Sequence, residues 1–164
     1  MTQEILKAKS EGNSVGGILE TVVTGVPAGV GEPWFDSIES LISHMMFSIP
    51  AVKGIEFGNG FAATDLYGSE NNDEFCITDG EIKTRTNNSG GINGGITNGM
   101  PIVFRTAIKP TPSIFKEQNS VSLENKTEER LQIKGRHDPC IVQRAVPVVE
   151  AVTAITILDI IKFE

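Results

Sequence analysis

Cysteine, histidine and aromatic residues are scarce in this chain. Its 164 residues include two cysteines, Cys76 and Cys140, two histidines, His44 and His137, one tryptophan and one tyrosine. Two cysteines do not build a disulfide scaffold, and no C-x-x-C pair or Cys/His cluster offers the ligand set of a structural zinc site. Two isolated histidines leave a His-based metal centre without enough ligands. Positive charge is short as well: 14 Lys and Arg against 21 Asp and Glu leave a net charge of −7. That balance argues against a general nucleic-acid binder, while a local basic patch can still hold a small anion. No long uncharged apolar run is present. The most apolar stretch, 139–162, contains Pro147, Glu150 and Asp159, which argues against a membrane span. Residues 2–12 are too polar for a cleavable secretory signal. The expectation is a cytoplasmic, soluble protein of one domain, 1–164, with no membrane or nucleic-acid partner.

Hydrophobic content of 39% is enough for a packed core. Residues 2–10 read as a short helix, with Thr2 able to cap it. Residues 14–24 read as a strand, with Gly16 and Gly17 marking a bulge or a close approach. Apolar residues recur at helical spacing through 34–47, placing His44 among core residues. Residues 51–57 read as a strand, and 58–80 as a polar loop with a short helix near Phe61–Leu66. Strands are expected at 81–86 and 101–108, and a hairpin over 118–134 with its turn near Asn125–Glu128. The segment 139–162 reads as a helix apolar on nearly every face, hence one buried between layers. Asp138 suits its cap, Pro139 its first position, and Pro147 should kink or restart it. Strands and helices in irregular order favour an α+β fold, antiparallel sheet packed on long buried helices, over a parallel βαβ fold.

Three segments can carry chemistry. Between Gly90 and Gly99 there are five glycines in ten residues. They allow positive φ and a close backbone approach, either to a ligand or in a plain turn. The spacing matches neither a P-loop nor a dinucleotide fingerprint. Lys109-Pro110-Thr111-Pro112-Ser113 offers a point cation and two hydroxyls to a phosphate, or an ordinary solvent lysine at a strand end. Gly135-Arg136-His137-Asp138-Pro139 offers a guanidinium fork just before a helix start. There Asp138 reads first as a helix cap, with a carboxylate placed at a ligand as its functional alternative. Cys76 and Cys140 read as packed thiols, since neither has a base nearby in sequence.

Taken in order, these segments resemble chorismate synthase. GVPAGVGEPWFD, FSIPAVKGIEFG, GSENNDEF, TRTNNSGGINGGITNGMPI, AIKPTPSI and GRHDPCIVQRAVPVVEA are all similar to signatures of that family, from about Asn13 to Asp159. The resemblance is to the C-terminal half of longer enzymes. The GESHG-type motif, second catalytic histidine and substrate arginines of their N-terminal half are not found here. The resemblance implies one lobe of a β-α-β sandwich and a homotetramer. It also implies conversion of 5-enolpyruvylshikimate 3-phosphate to chorismate by 1,4-anti elimination of phosphate, with reduced FMN and no net redox change. By the same resemblance, Lys109 and Ser113 contact FMN, and Arg136 lies between flavin and substrate. Asp138 is the carboxylate near flavin N5, and His137 is a contact residue. Where some relatives have Asn, this chain has Pro50, leaving backbone contacts from Ala51 and Val52. The glycine-rich run closes over the cofactor, with Asn88 and Asn98 as polar contacts. The alternative is a non-catalytic fragment that binds flavin or phosphate, or a partner lobe, without turnover.

Overall fold

Alternating burial is clearest in Ile102–Ile108 (β7), where Ile102, Phe104, Thr106 and Ile108 are all buried. The computed structural model describes residues 1–162; the last two residues of the domain read over 1–164 lie outside it. β7 is the middle strand of an antiparallel sheet in the order β1-β7-β2, between Gly17–Val23 (β1) and Val52–Phe57 (β2). Leu19↔Thr106 and Ile55↔Thr106 fix the register. A one-residue slip would turn this apolar face outward.

That face is covered by two helices, Ile38–Phe47 (α2) and Val142–Lys162 (α4). α2 buries Ile38, Ile42 and Met46, one residue per turn. His44 falls off that stripe and is exposed, not in the core as its apolar neighbours implied. The helix expected over 34–47 is divided at Ser37. Trp34–Asp36 form a single 3-10 turn, and Ser37 is extended, its hydroxyl accepting from Ser40 N at 3.1 Å. A side-chain acceptor there defines a helix start. At Thr2–Ser10 (α1) the cap position is Met1, with Thr2 already helical, so Thr2 does not cap it.

α4 starts later than Pro139 implies. The amides of Arg144 and Ala145 both donate to the Ile141 carbonyl, at 3.0 and 3.1 Å. Asp138 therefore stands three residues ahead of the first acceptor and is not the cap. Pro147 sits inside one continuous helix. It removes the donor for the Gln143 carbonyl, on an exposed turn where water can replace it. The inward stripe is Val142, Val149, Thr153 and Thr156. Both threonines return their hydroxyls to carbonyls four residues back, at 2.7 and 2.8 Å. The opposite side leaves Val146, Val148, Ile155, Leu158 and Ile161 between 43% and 57% exposed. The second layer that an all-round apolar helix calls for is thus absent among the described residues. No helix is long and apolar enough to cross a membrane.

The other elements are small. Gly60–Asp65 is a 3-10 turn and Gly68–Asn71 (α3) a single helical turn. Phe75–Thr78 (β3) pairs with Glu81–Thr84 (β4) in a hairpin whose first strand the sequence did not disclose. Phe75, Ile77 and Ile82 are all more than 70% exposed, so no core-facing alternation marks it. Ile92–Asn93 (β5) and Ile96–Thr97 (β6) form a minimal hairpin within the glycine-rich run. Gln118–Ser122 (β8) and Thr127–Leu131 (β9) pair as expected over 118–134.

Phe104 is fully buried and packs on Phe57 with ring centroids 5.7 Å apart. Phe104→Ala should lower unfolding free energy in urea by about 3–5 kcal/mol. Val121→Ala on the exposed β8 strand should change it by less than about 0.5 kcal/mol.

Candidate functional site

The chain turns sharply where β2 begins, and one flavin-contact candidate makes that turn. Ala51 has φ +74°, a left-handed conformation rare outside glycine. Its carbonyl accepts from Lys109 N at 2.9 Å, so Ala51, Val52 and Lys109 meet at one end of the sheet. A register shift between Val52 and Gly54 accompanies the turn.

A strap from Gly12 to Gly16 then ties the two remaining segments to that end. Ser14 Oγ donates to the Thr111 carbonyl at 2.6 Å, and Val15 N donates to the Pro139 carbonyl at 2.8 Å. The Gly12 carbonyl accepts from Phe115 N at 3.0 Å and Lys116 N at 3.3 Å. The Phe115 and His137 rings meet edge-on, centroids 4.9 Å apart. Gly16 permits the close passage: a methyl group there would run into the Ile108 carbonyl oxygen and come within 3.0 Å of Pro110 N. Glycine at 16 was legible as a close approach; the hydrogen-bonding role of Ser14 and Val15 had no sequence signal.

Several polar groups at this end have no protein partner among the described residues. Lys109 and Arg136 are exposed, and neither side chain makes a hydrogen bond or ion pair among the described residues. Thr111 Oγ1 and His137 Nε2 are buried and also unpartnered. Buried polar atoms are ordinarily hydrogen-bonded, so these two orphans, each within two residues of an exposed cation, make this end of the sheet a candidate anion site. Lys109, Thr111, Ser113 and Arg136 are donors suited to a phosphate. Asp138 is differently placed: its Oδ2 accepts from Arg144 Nη1 at 2.6 Å. That ion pair, one turn into α4, takes the place of the expected cap.

The remaining candidates are elsewhere. Gly58 N donates to the Val103 carbonyl, and Val103 N to that of Gly90, which sets the glycine-rich run at the other end of β7. Lys109 lies six residues beyond Val103, about 20 Å at roughly 3.3 Å per residue. Gly90, Gly91, Gly94, Gly95 and Gly99 all have positive φ. Asn88 and Asn98 spend their side chains within the loops. Asn88 Nδ2 donates to the Asn71 carbonyl at 3.1 Å, and Asn98 Nδ2 to Asn93 Oδ1 at 2.7 Å. Asn98 Oδ1 accepts from Met100 N at 2.9 Å. A cleft of about 610 Å³ borders the run, lined by residues including Asn71, Asp73, Ser89, Asn93 and Asn98.

The family model for chorismate synthase matches residues 1–161. This chain belongs to the chorismate synthase family. It is 53% identical over 159 residues to the chorismate synthase of Methanocella arvoryzae, covering 97% of this chain and 43% of that one. It is 55% identical over 150 residues to that of Archaeoglobus fulgidus, covering 92% and 42%. A crystal structure of chorismate synthase superposes with a TM-score of 0.77 at 35% identity, over 97% of this chain and 40% of the other. The α+β fold is therefore that of the corresponding part of a chorismate synthase. The chain spans less than half the length of the curated relatives it matches.

Gly16→Ala should destabilise the chain by about 1–3 kcal/mol, the range for inserting a methyl into a packed site. Gly68→Ala, where nothing lies within 4 Å, should be neutral to slightly stabilising. Thermal unfolding of both variants checks the pair.

Proposed function

We propose that this chain supplies part of the active site of a chorismate synthase, a lyase of aromatic amino-acid biosynthesis in the shikimate pathway. In this reading the protein converts 5-enolpyruvylshikimate 3-phosphate to chorismate by 1,4-anti elimination of phosphate. It acts in the cytoplasm as a homo-oligomer, a tetramer as in the family. The observation that carries the reading is that the strap from Gly12 to Gly16 joins the Lys109–Ser113 and Arg136–Asp138 segments at one end of the sheet, where Thr111 Oγ1 and His137 Nε2 are buried without a partner among the described residues.

Lys109, Ser113, Arg136, Ala51 and Val52 would hold reduced FMN, which would supply transient electron density for loss of the allylic phosphate and recover it as the ring proton departs. The protein's own residues bind, orient and move a proton. Lys109 and Ser113 hold phosphate-type oxygens, and Arg136 neutralises anionic charge beside them. Ala51 and Val52 present backbone against the same site. Arg144 fixes Asp138 through Oδ2, leaving Oδ1 to accept and return a proton. In this reading the glycine-rich run, at the far end of β7 from the lysine, meets a different part of the flavin–substrate pair through its backbone.

A second reading, binding without turnover by this chain alone, is favoured by the exposed apolar side of α4. Assayed anaerobically with reduced FMN and substrate, the isolated chain should show no turnover. In sedimentation at tens of micromolar (an order of magnitude suited to weak association) it should run larger than a monomer. A well-behaved monomer would count against association.

The catalytic assignment is tested in a full-length relative carrying the equivalent change. Asp138→Asn should leave stability within about 1 kcal/mol, since it breaks only a partly exposed ion pair. Turnover should fall by a factor of about 100 or more. Unchanged turnover would remove the proton-relay role. Lys109→Ala and Arg136→Ala should instead each weaken FMN binding by about tenfold, the scale of one charged hydrogen bond.

A further inference from the structure

We propose that Asp73 is the positioning residue of the glycine-rich run, holding Asn88 and Ser89 in the one backbone arrangement from which the following glycines can present themselves to a ligand. The ligand part of this inference rests on the flavin-site reading above; the clasp itself does not.

Three donors converge on the two oxygens of this carboxylate. Asp73 Oδ1 accepts from Thr86 Oγ1 at 2.6 Å and from Asn88 N at 2.7 Å, and Oδ2 accepts from Ser89 N at 2.9 Å. The consecutive amides of Asn88 and Ser89 thus point at one side chain that lies 15 residues earlier in the chain. Burial disfavours the charged form, but the bonds from Thr86, Ser89 and Asn88 outweigh it and hold the Asp73 carboxyl below its ordinary value. The clasp is reinforced around its edge. Asn88 Nδ2 donates to the Asn71 carbonyl, Asn59 Nδ2 to Asn71 Oδ1 at 3.1 Å, and Asn59 N to the Asn88 carbonyl at 2.8 Å.

The chemistry calls for aspartate at this position. An amide side chain offers a single acceptor oxygen, and its NH2 group would confront either the Ser89 amide or the pair of Thr86 and Asn88 donors. Glycines need such an anchor more than other residues do. Gly90 and Gly91, immediately after Ser89, have the widest choice of backbone conformation, and both are buried with positive φ. Fixing the two residues before them reduces the freedom that a ligand would otherwise have to remove on binding. Asp73 also borders the cleft beside the run without giving up any of its three bonds.

The test compares this chain with its Asp73→Asn, Asp73→Glu and Thr86→Val variants. The measurements are amide hydrogen exchange, thermal unfolding and affinity for reduced FMN. In Asp73→Asn the amides of residues 88–91 should exchange about tenfold faster or more, while those of β7 stay protected. FMN affinity should fall by a similar factor with little change in unfolding temperature. Thr86→Val, which removes one donor and leaves both amides clasped, should show the same pattern more weakly. Asp73→Glu, which keeps both carboxylate oxygens, should recover part of the protection. Wild-type exchange rates at 88–91 in Asp73→Asn would overturn the clasp. Faster exchange with undiminished FMN affinity would overturn the positioning role. Should this chain alone bind no FMN, affinity is read in a full-length relative carrying the equivalent changes, where undiminished affinity overturns the positioning role, while exchange in this chain reports separately on the clasp.

Discussion

The position of β7 governs most of this structure. It is hydrogen-bonded on both edges, and four of its seven side chains are buried against α2 and α4. Such a strand has almost no freedom of register: its pairing with β1 and β2 and its apolar face must agree. Both candidate clusters are attached to its ends. Val103 exchanges hydrogen bonds with the glycine-rich run and with Gly58, and Lys109 follows Ile108 directly onto the Ala51 turn. The span of one rigid strand therefore sets the distance between the lysine–arginine end and the glycine-rich end. Neither loop has to supply that spacing itself, which leaves each free to be shaped by local bonds.

Those local bonds differ in kind at the two ends. At the lysine end the strap from Gly12 to Gly16 uses backbone and hydroxyl groups to gather segments, and leaves the cations of Lys109 and Arg136 unspent. At the glycine end nearly every side-chain group is spent. Asn88, Asn98, Asn71 and Asp73 bond to other parts of the loops, while Asn87 Oδ1 is buried without a partner among the described residues, so what remains there is backbone, cleft wall and that one acceptor. In the proposed reading, that division would suit an anion met by free charges at one end and a shape met by fixed backbone at the other.

What the sequence disclosed follows the same physics. β7, the 118–134 hairpin and α2 carry local signals, alternation or one buried residue per turn, and these can be read without knowing partners. Asp138 shows where local signals mislead. A carboxylate just ahead of Pro139 looks like a cap, yet the helix takes its first acceptor at Ile141, and Asp138 turns to Arg144 instead. His44 was misplaced because hydrophobic neighbours do not specify which side of a helix faces the core. β3 was invisible because a two-stranded ribbon with Phe75 and Ile77 outward has no buried face to pattern. The strap and the Asp73 clasp join residues far apart in sequence, and polar residues in loops look alike until their partners are known. The resemblance to chorismate synthase located the segments that these contacts join, but not the contacts.

Two features that look unrelated have a common form. One side of α4 is apolar and open to water through Val146, Ile155, Leu158 and Ile161, while Thr111 Oγ1 and His137 Nε2 are buried with no partner among the described residues. The first is unfavourable because apolar surface stays hydrated, the second because polar groups have lost water without gaining a partner. Both strain a chain that has only its own residues to offer. In the curated relatives more than half of the sequence lies outside the region matched here. Additional protein surface against α4 would relieve the first, and a phosphate-bearing ligand at the lysine end would relieve the second. Stability and function then draw on the same deficit: groups left unmatched within this lobe are the ones available to bind something else.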